Sequence, residues 1–291
     1  MEVIVVAAKQ IGLRCLRLPE RNVVVLRPVG GVREEVEGEI LKVSVNKEWR
    51  YKSTTYISGD VLGSYIDGAV LSDTPLKLNE HYEWDPEAGF LRAWFDGAED
   101  SDEASASLKL PEWAKSVLRA GTRKAYEMER VIPGEDPADF DSDPIVEAAE
   151  LTRAGDMITA TEILQRCLEQ DLRCVDAYVH LGNIRMADLQ YEWHVKRALK
   201  SYRAGVSVGE QALPPGFNGL LPWALLDNRP FLRALHAVSL CQWRLGDTAS
   251  ARSTFMRLLM LDPEDSLGVR FLLHAMEAGL DYLGFAARDP L

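Results

Sequence analysis

Twice along this chain a run of helix-favouring residues ends in Gly-Asp and begins again, first at Gly155-Asp156 and then at Gly246-Asp247. A small residue follows five positions after each glycine (Ala160, Ala251), and a large apolar one nine positions after it (Leu164, Phe255). Glycine suits the left-handed position that closes a helix, and aspartate suits the N-cap of the next one. The small residue lets two helices cross closely while the large one fills the groove beside the crossing. A chain that repeats this device is committed to packed helical hairpins.

The fullest hairpin is Asn228–Leu273. Pro230 fits a first helical turn, where a missing N–H costs nothing. Phe231, Leu235, Val238 and Cys241 or Gln242 then recur at three- and four-residue steps, with Ala234 and Leu245 widening the apolar face. Ala251, Phe255, Leu258 and Leu259 make the stripe of the second helix, which Asp262-Pro263 ends. Upstream, Asp143-Pro144 starts a helix over Ile145–Arg153, followed by Thr159–Glu169. A further pair is expected at Val175–Met186 and Trp193–Ala204, with Tyr178, Leu181, Gly182, Ala198 and Tyr202 at large and small positions. Between the hairpins, Gly205–Asp227 reads as a long insertion, too apolar at Phe217, Leu220, Leu221 and Trp223 to be left in water. The tail GLDYLGFAARDPL is expected to cap the helices.

With Pro263 in the last slot of a 34-residue unit, Leu235, Ser239, Gly246, Ala251 and Phe255 fall on large, small, turn, small and aromatic positions. That pattern resembles a tetratricopeptide repeat. The block Asp227–His236, with Trp243–Gly246, Pro263 and Gly268–Arg270, is similar to bacterial tetratricopeptide-like proteins and to the suppressor-of-tumorigenicity-seven family. The resemblance covers the last third of the chain. It implies an interaction scaffold that binds another protein or a peptide in a helical groove, and it brings no chemistry with it. In the repeat register the groove positions include His180, Asn183 and Met186, then Arg233, His236 and Leu240. Asn228, Arg229 and Arg270 join His180, Asn183, Arg233 and His236 as expected partner-binding residues. Asn183 and Arg233 match in type the residues with which such domains clamp a carboxylate, whereas Ile145, Ala149 and Ala237 do not. A structural role for at least one of the arginines, pairing with Asp227 or capping a helix, is also expected.

The N-terminal part reads differently. Val3–Ala7, Val23–Leu26, Glu39–Val45 and Trp49–Ile57 are rich in β-branched and aromatic residues and punctuated by turn residues, with Asn46-Lys47 as a tight turn. A small antiparallel barrel or rolled sheet of SH3-like type is expected. Residues 60–89 read as loop with short strands. The fold class is therefore α+β, with a β-rich domain at 1–95, an acidic linker carrying a short helix at 96–142, and a helical domain at 143–291.

Charge sharpens that division. Residues 1–60 carry ten basic against eight acidic side chains, residues 61–150 eight against 21, and residues 151–291 15 against 16. A net charge of −12 opposes non-specific nucleic-acid binding, although the N-terminal part keeps a local site open. The run Trp49-Arg50-Tyr51-Lys52, behind Lys47, is the place for one, because rings stack on bases while cations meet phosphates. The structural reading, favoured here, turns the rings into the core and leaves the charges in water. The acidic residues of 34–39 weigh on the same side, since they would weaken a phosphate site.

Four cysteines without framework spacing suit reduced thiols, and no run of apolar residues approaches a membrane span, so a cytoplasmic protein is expected. His81, Glu83 and Asp85 lack the spacing of a metal site. No phosphate loop, nucleophile elbow or paired-histidine motif is present, so no catalytic residue, metal or cofactor is assigned. An enzyme with dispersed groups, such as His81 with Asp85 or His180 with His236, stands behind a non-catalytic scaffold of regulatory character and a nucleic-acid-linked regulator.

Overall fold

A computed structural model of the 291-residue chain describes residues 1–9, 11–31, 34–86, 111–136, 138–139, 142–187 and 191–288. Their contacts form two units, each drawn from two stretches: Met1–Leu76 with Arg130–Ala212, and Lys77–Glu129 with Leu213–Leu291. Composition lays out β domain, linker and helical domain in series, whereas the contacts interleave them. The core of the acidic tract, 96–107, lies outside the described residues.

The first unit begins with five strands, β1 (Glu2–Lys9), β2 (Gly12–Arg17), β3 (Asn22–Pro28), β4 (Ile40–Tyr51) and β5 (Thr54–Tyr65). They close a barrel in the order β1-β2-β3-β5-β4, antiparallel except where β3 runs parallel to β5. Alternation puts Val3, Val5, Leu13, Cys15, Val24, Leu26, Leu41, Val43 and Ile57 inside. β1 is buried on both faces, Ile4 and Val6 included, because α4 (Met157–Gln170) packs against it. That explains its unbroken apolar run. Two sequence expectations fail here. Asn46-Lys47 is no turn: β4 runs through it, a bulge between Val45 and Lys47 absorbs the irregularity, and the chain reverses at Lys52, whose φ is 54°. Asp60–Tyr65 continues β5 because it pairs along β4, despite Gly63.

After a single turn, α1 (Gly68–Leu71), the unit resumes with α3 (Pro144–Arg153), α4, α5 (Val175–Met186) and α6 (Glu192–Glu210). Asp143 caps α3 by accepting from the Ile145 N–H at 2.7 Å, and Asp156 caps α4 through Thr159 at 3.0 Å. Such caps contribute about 1 kcal/mol each. Gly155 takes the left-handed conformation, φ 88°, that the Gly-Asp device requires. α5 and α6 cross so closely that a Cβ on Gly182 would lie 2.3 Å from the Tyr202 ring. The insertion expected from Gly205 starts later, since Gly205–Glu210 are the last turns of α6. Their burial against α1 outweighs the poor helix propensity of two glycines.

The second unit holds β6 (Leu78–Trp84), α2 (Glu112–Arg119) and β7 (Arg123–Met128), then α7 (Arg229–Arg244), α8 (Thr248–Leu261), α9 (Val269–Glu277) and α10 (Tyr282–Arg288). β6 and β7 pair antiparallel, so a strand occupies part of the stretch expected to be linker. α7 and α8 repeat the capped hairpin: Gly246 has φ 82° and Asp247 accepts from the Ser250 N–H at 3.2 Å. Ala251 and Phe255 are fully buried, as are Ala160 and Leu164 in the first unit. The apolar stretch before α7 extends the small sheet, with Leu220 bridging to Ala125 and both Leu220 and Leu221 buried. Among the described residues no helix is long and apolar enough to cross a membrane.

Candidate functional site

The residues singled out from the sequence fall in both units, and each unit is described by itself. On the barrel, the register Trp49↔Tyr56 turns both rings to the outer face of the sheet, opposite in direction to Ile57 and the core. The favoured expectation, rings inward, is therefore overturned. The closed core of aliphatic side chains is complete without them, and alternation from inward-facing Ile57 leaves Tyr56 and its partner outside. The two rings stack at 5.5 Å with planes 13° apart. The Arg27 guanidinium lies 5.1 Å from the Tyr56 ring and 5.8 Å from Trp49, and the Lys47 ammonium 5.7 Å from Trp49. Tyr51 is 62% exposed, with the Lys52 ammonium 5.7 Å from its ring, and Arg50 is exposed beside it.

Of the acidic residues that weighed against this face, Glu34 is exposed and Glu35 half-buried, whereas Glu37 and Glu39 are buried. Glu37 is fully buried against the helices of the same unit, where Gln165 Nε2 donates to it at 2.8 Å and the Arg185 guanidinium binds its other oxygen. Burial by itself would raise the Glu37 carboxyl, but Arg185 and the hydrogen bonds hold it below the usual carboxylate value. Glu39, 2% exposed, accepts from the Val36 N–H at 2.7 Å and Ser64 Oγ at 2.9 Å, and meets the Lys200 ammonium at 3.1 Å. Between them Gly38 has φ 86°, and a Cβ there would lie 2.7 Å from that of Ala204. Only glycine fits so tight a left-handed turn. This carboxylate cluster has no sequence signal of its own, because its cations lie roughly 150 residues away on two helices.

Two expected groove residues belong to this unit. His180 is half-buried on α5, and Asn183, exposed one turn later, accepts from Tyr202 Oη at 2.8 Å.

The remaining five lie in the second unit. Asn228 is fully buried. Its Oδ1 accepts from the Met128 N–H at 2.8 Å, and its Nδ2 donates to the carbonyls of Tyr126 at 2.9 Å and Pro222 at 3.0 Å. As a contact for a partner it is corrected to a structural tie between β7 and the stretch before α7. His236 is turned inward beside the Phe255 ring, with Nε2 sealed from water and without a hydrogen bond. Burial pushes its pKa down to about 4, so a neutral imidazole packs in the helix pair, and it too is withdrawn from the binding set. Arg229 donates from Nε to the Trp223 carbonyl at 3.0 Å and covers that ring at 5.1 Å. Its role is structural, with a turn carbonyl and a ring rather than with Asp227 or a helix end. Arg233 is exposed, 5.4 Å from the same ring. Arg270 Nε sits 3.6 Å from Asp265 and its guanidinium 4.8 Å from the Phe271 ring.

Arg270 also lines a groove of about 440 Å³ between α2 and α9, with Trp113, Phe271, Leu273, His274 and Glu277. Trp113 and Leu273 are buried walls, whereas Phe271 is 60% exposed at the rim. The helical period of α9 would have pointed to Phe271 and His274, since both fall off the buried stripe of Val269, Leu272 and Leu273.

His81 Nε2 meets Glu127 at 3.1 Å, and His180 and His236 belong to different units. Among the described residues no group of three His, Cys, Asp or Glu side chains is placed to hold a metal. All four thiols are buried, and burial raises Cys167 to about 11. No protein-family model, curated protein or solved structure matches the chain.

Proposed function

We propose that this chain is a non-catalytic binding protein that holds another protein at the α2–α9 groove of its second unit. The observation that supports this reading is the groove itself, where a half-exposed phenylalanine stands beside a guanidinium and an imidazole. Apolar surface of this kind, rimmed by charge, marks interaction sites on proteins. Its occupant is a segment carrying an apolar side chain for the Trp113–Leu273 wall and a carboxylate for Arg270 and His274. Of the seven residues read from the repeat pattern, Arg270 lies in this groove. Asn228 and His236 serve the fold instead.

The reading is tested with the full chain as bait in an extract of its own cells, beside Phe271→Asp. A defined protein retained by the native chain, and reduced tenfold or more by the substitution at unchanged thermal stability, supports it. Retention that ignores Phe271→Asp, or nothing retained above background, removes it.

A further inference from the structure

We propose that the outer face of β3, β4 and β5 binds single-stranded nucleic acid. Residues 47, 49 and 51 of β4 and residues 54, 56 and 58 of β5 share that face, and Arg27 of β3 reaches across it. The result is a row of rings, Tyr51, Trp49 and Tyr56, flanked by Lys47, Arg27 and Lys52. The barrel core closes without any of them.

The charge around the rings is arranged to favour an anion. Glu48, the acidic residue inside the basic-aromatic run, is held by both guanidinium nitrogens of Arg17, at 3.2 and 2.5 Å. Asp60 accepts from Asn46 Nδ2 at 2.9 Å. Glu37 and Glu39, closest in sequence among the other acids, are buried and paired with cations from the helices. A local basic surface thus survives in a chain whose net charge is −12.

The rings decide what kind of anion fits. An acidic peptide would satisfy the cations and leave the aromatics without a partner. A duplex offers phosphates but keeps its base faces stacked within the helix. A single strand supplies both, bases for Tyr51 and for the Trp49 face that Lys47 now covers, and phosphates for the displaced Lys47 and its neighbours. Aromatic stacking of this kind tolerates every base, so the site is expected to be weakly selective for sequence.

The test uses the full chain with fluorescently labelled twenty-nucleotide oligo-dT and oligo-U, read by anisotropy across a salt series. Both single strands are expected to bind, and a duplex of the same length about ten times more weakly. Each phosphate neutralised on a single strand contributes about −0.7 to the log–log salt slope, so three cations predict roughly −2. Arg27→Gln with Lys47→Gln should lower the magnitude of that slope by about 1.4. Tyr51→Ser, at a mostly exposed position, should weaken binding about tenfold and leave the slope as it was. No binding of either strand overturns the proposal. So does equal binding of the duplex, or affinity and slope unmoved by these variants. Any of these outcomes leaves the protein-binding groove of the other unit standing.

Discussion

The Glu37 carboxylate, with no exposed surface, is bound by the guanidinium of Arg185, 148 residues further along the chain. The pair ties the segment leading into β4 to α5, and Gln165 of α4 completes it. Two charges taken from water are compensated only while both are present. Arg185→Ala is therefore expected to destabilise the first unit by about 3–5 kcal/mol. Replacing both members by Gln and Met should cost less than losing the arginine alone. Urea unfolding of the two variants beside the native chain checks the order.

The same pair sets an acid limit. The native Glu37 carboxyl lies below its ordinary value of 4.5, so the unfolded state takes up the proton first as pH falls. Its stabilisation is complete above about pH 4.5 and is lost as pH drops through the lowered native value. Urea midpoints from pH 7 to 3 should fall less steeply below pH 4.5 in Glu37→Gln.

His236 acts in a higher window. It titrates near 4 in the native chain against 6.5 ordinarily, so the unfolded state alone binds the proton between those values. Stability should fall as pH drops from 6.5 towards 4, by up to about 3 kcal/mol. His236→Leu should remove this slope, measured as the urea midpoint at pH 7 and pH 5.

Asn228→Ala would orphan the Met128 N–H and the carbonyls of Tyr126 and Pro222. Each buried group left unpaired costs about 1–3 kcal/mol, so a loss above about 3 kcal/mol is expected. Hydrogen exchange at the Met128 amide should accelerate along with it. A loss of partner binding without a loss of stability would contradict the structural role of Asn228.

Two glycines distinguish steric from conformational need. Gly182→Ala drives a methyl into the Tyr202 ring and is expected to cost at least about 1–3 kcal/mol. Gly155→Ala meets open space and carries only the left-handed backbone penalty, about 1–2 kcal/mol. Thermal melting of the two variants should rank them in that order, and only the first should loosen the packing of α5 on α6.

By itself the sequence determined the helices and their joints. Val175–Met186 is the helix read from the residues, and Asp143, Asp156 and Asp247 cap the helices assigned to them. Gly155 and Gly246 are left-handed where the Gly-Asp device needs them. These features act within one turn of chain, so neighbouring residues suffice to specify them. The apolar stretch before α7 was legible too, since Leu220 and Leu221 had to be covered by something.

Only the tertiary structure decided what depends on remote pairing. β2 carries two arginines, Arg14 and Arg17, in six residues and shows as a strand only beside β1 and β3. β7 is a strand because β6 and Leu220 flank it. The same physics placed the site residues. A period of two says that Trp49 and Glu48 face opposite ways, but not which way is inward; the closing of the barrel chose. Asn228 and His236 share the polar chemistry of groove residues and were drawn into packing by partners far along the chain. Glu37 and Glu39 left the surface because Arg185 and Lys200 reached them.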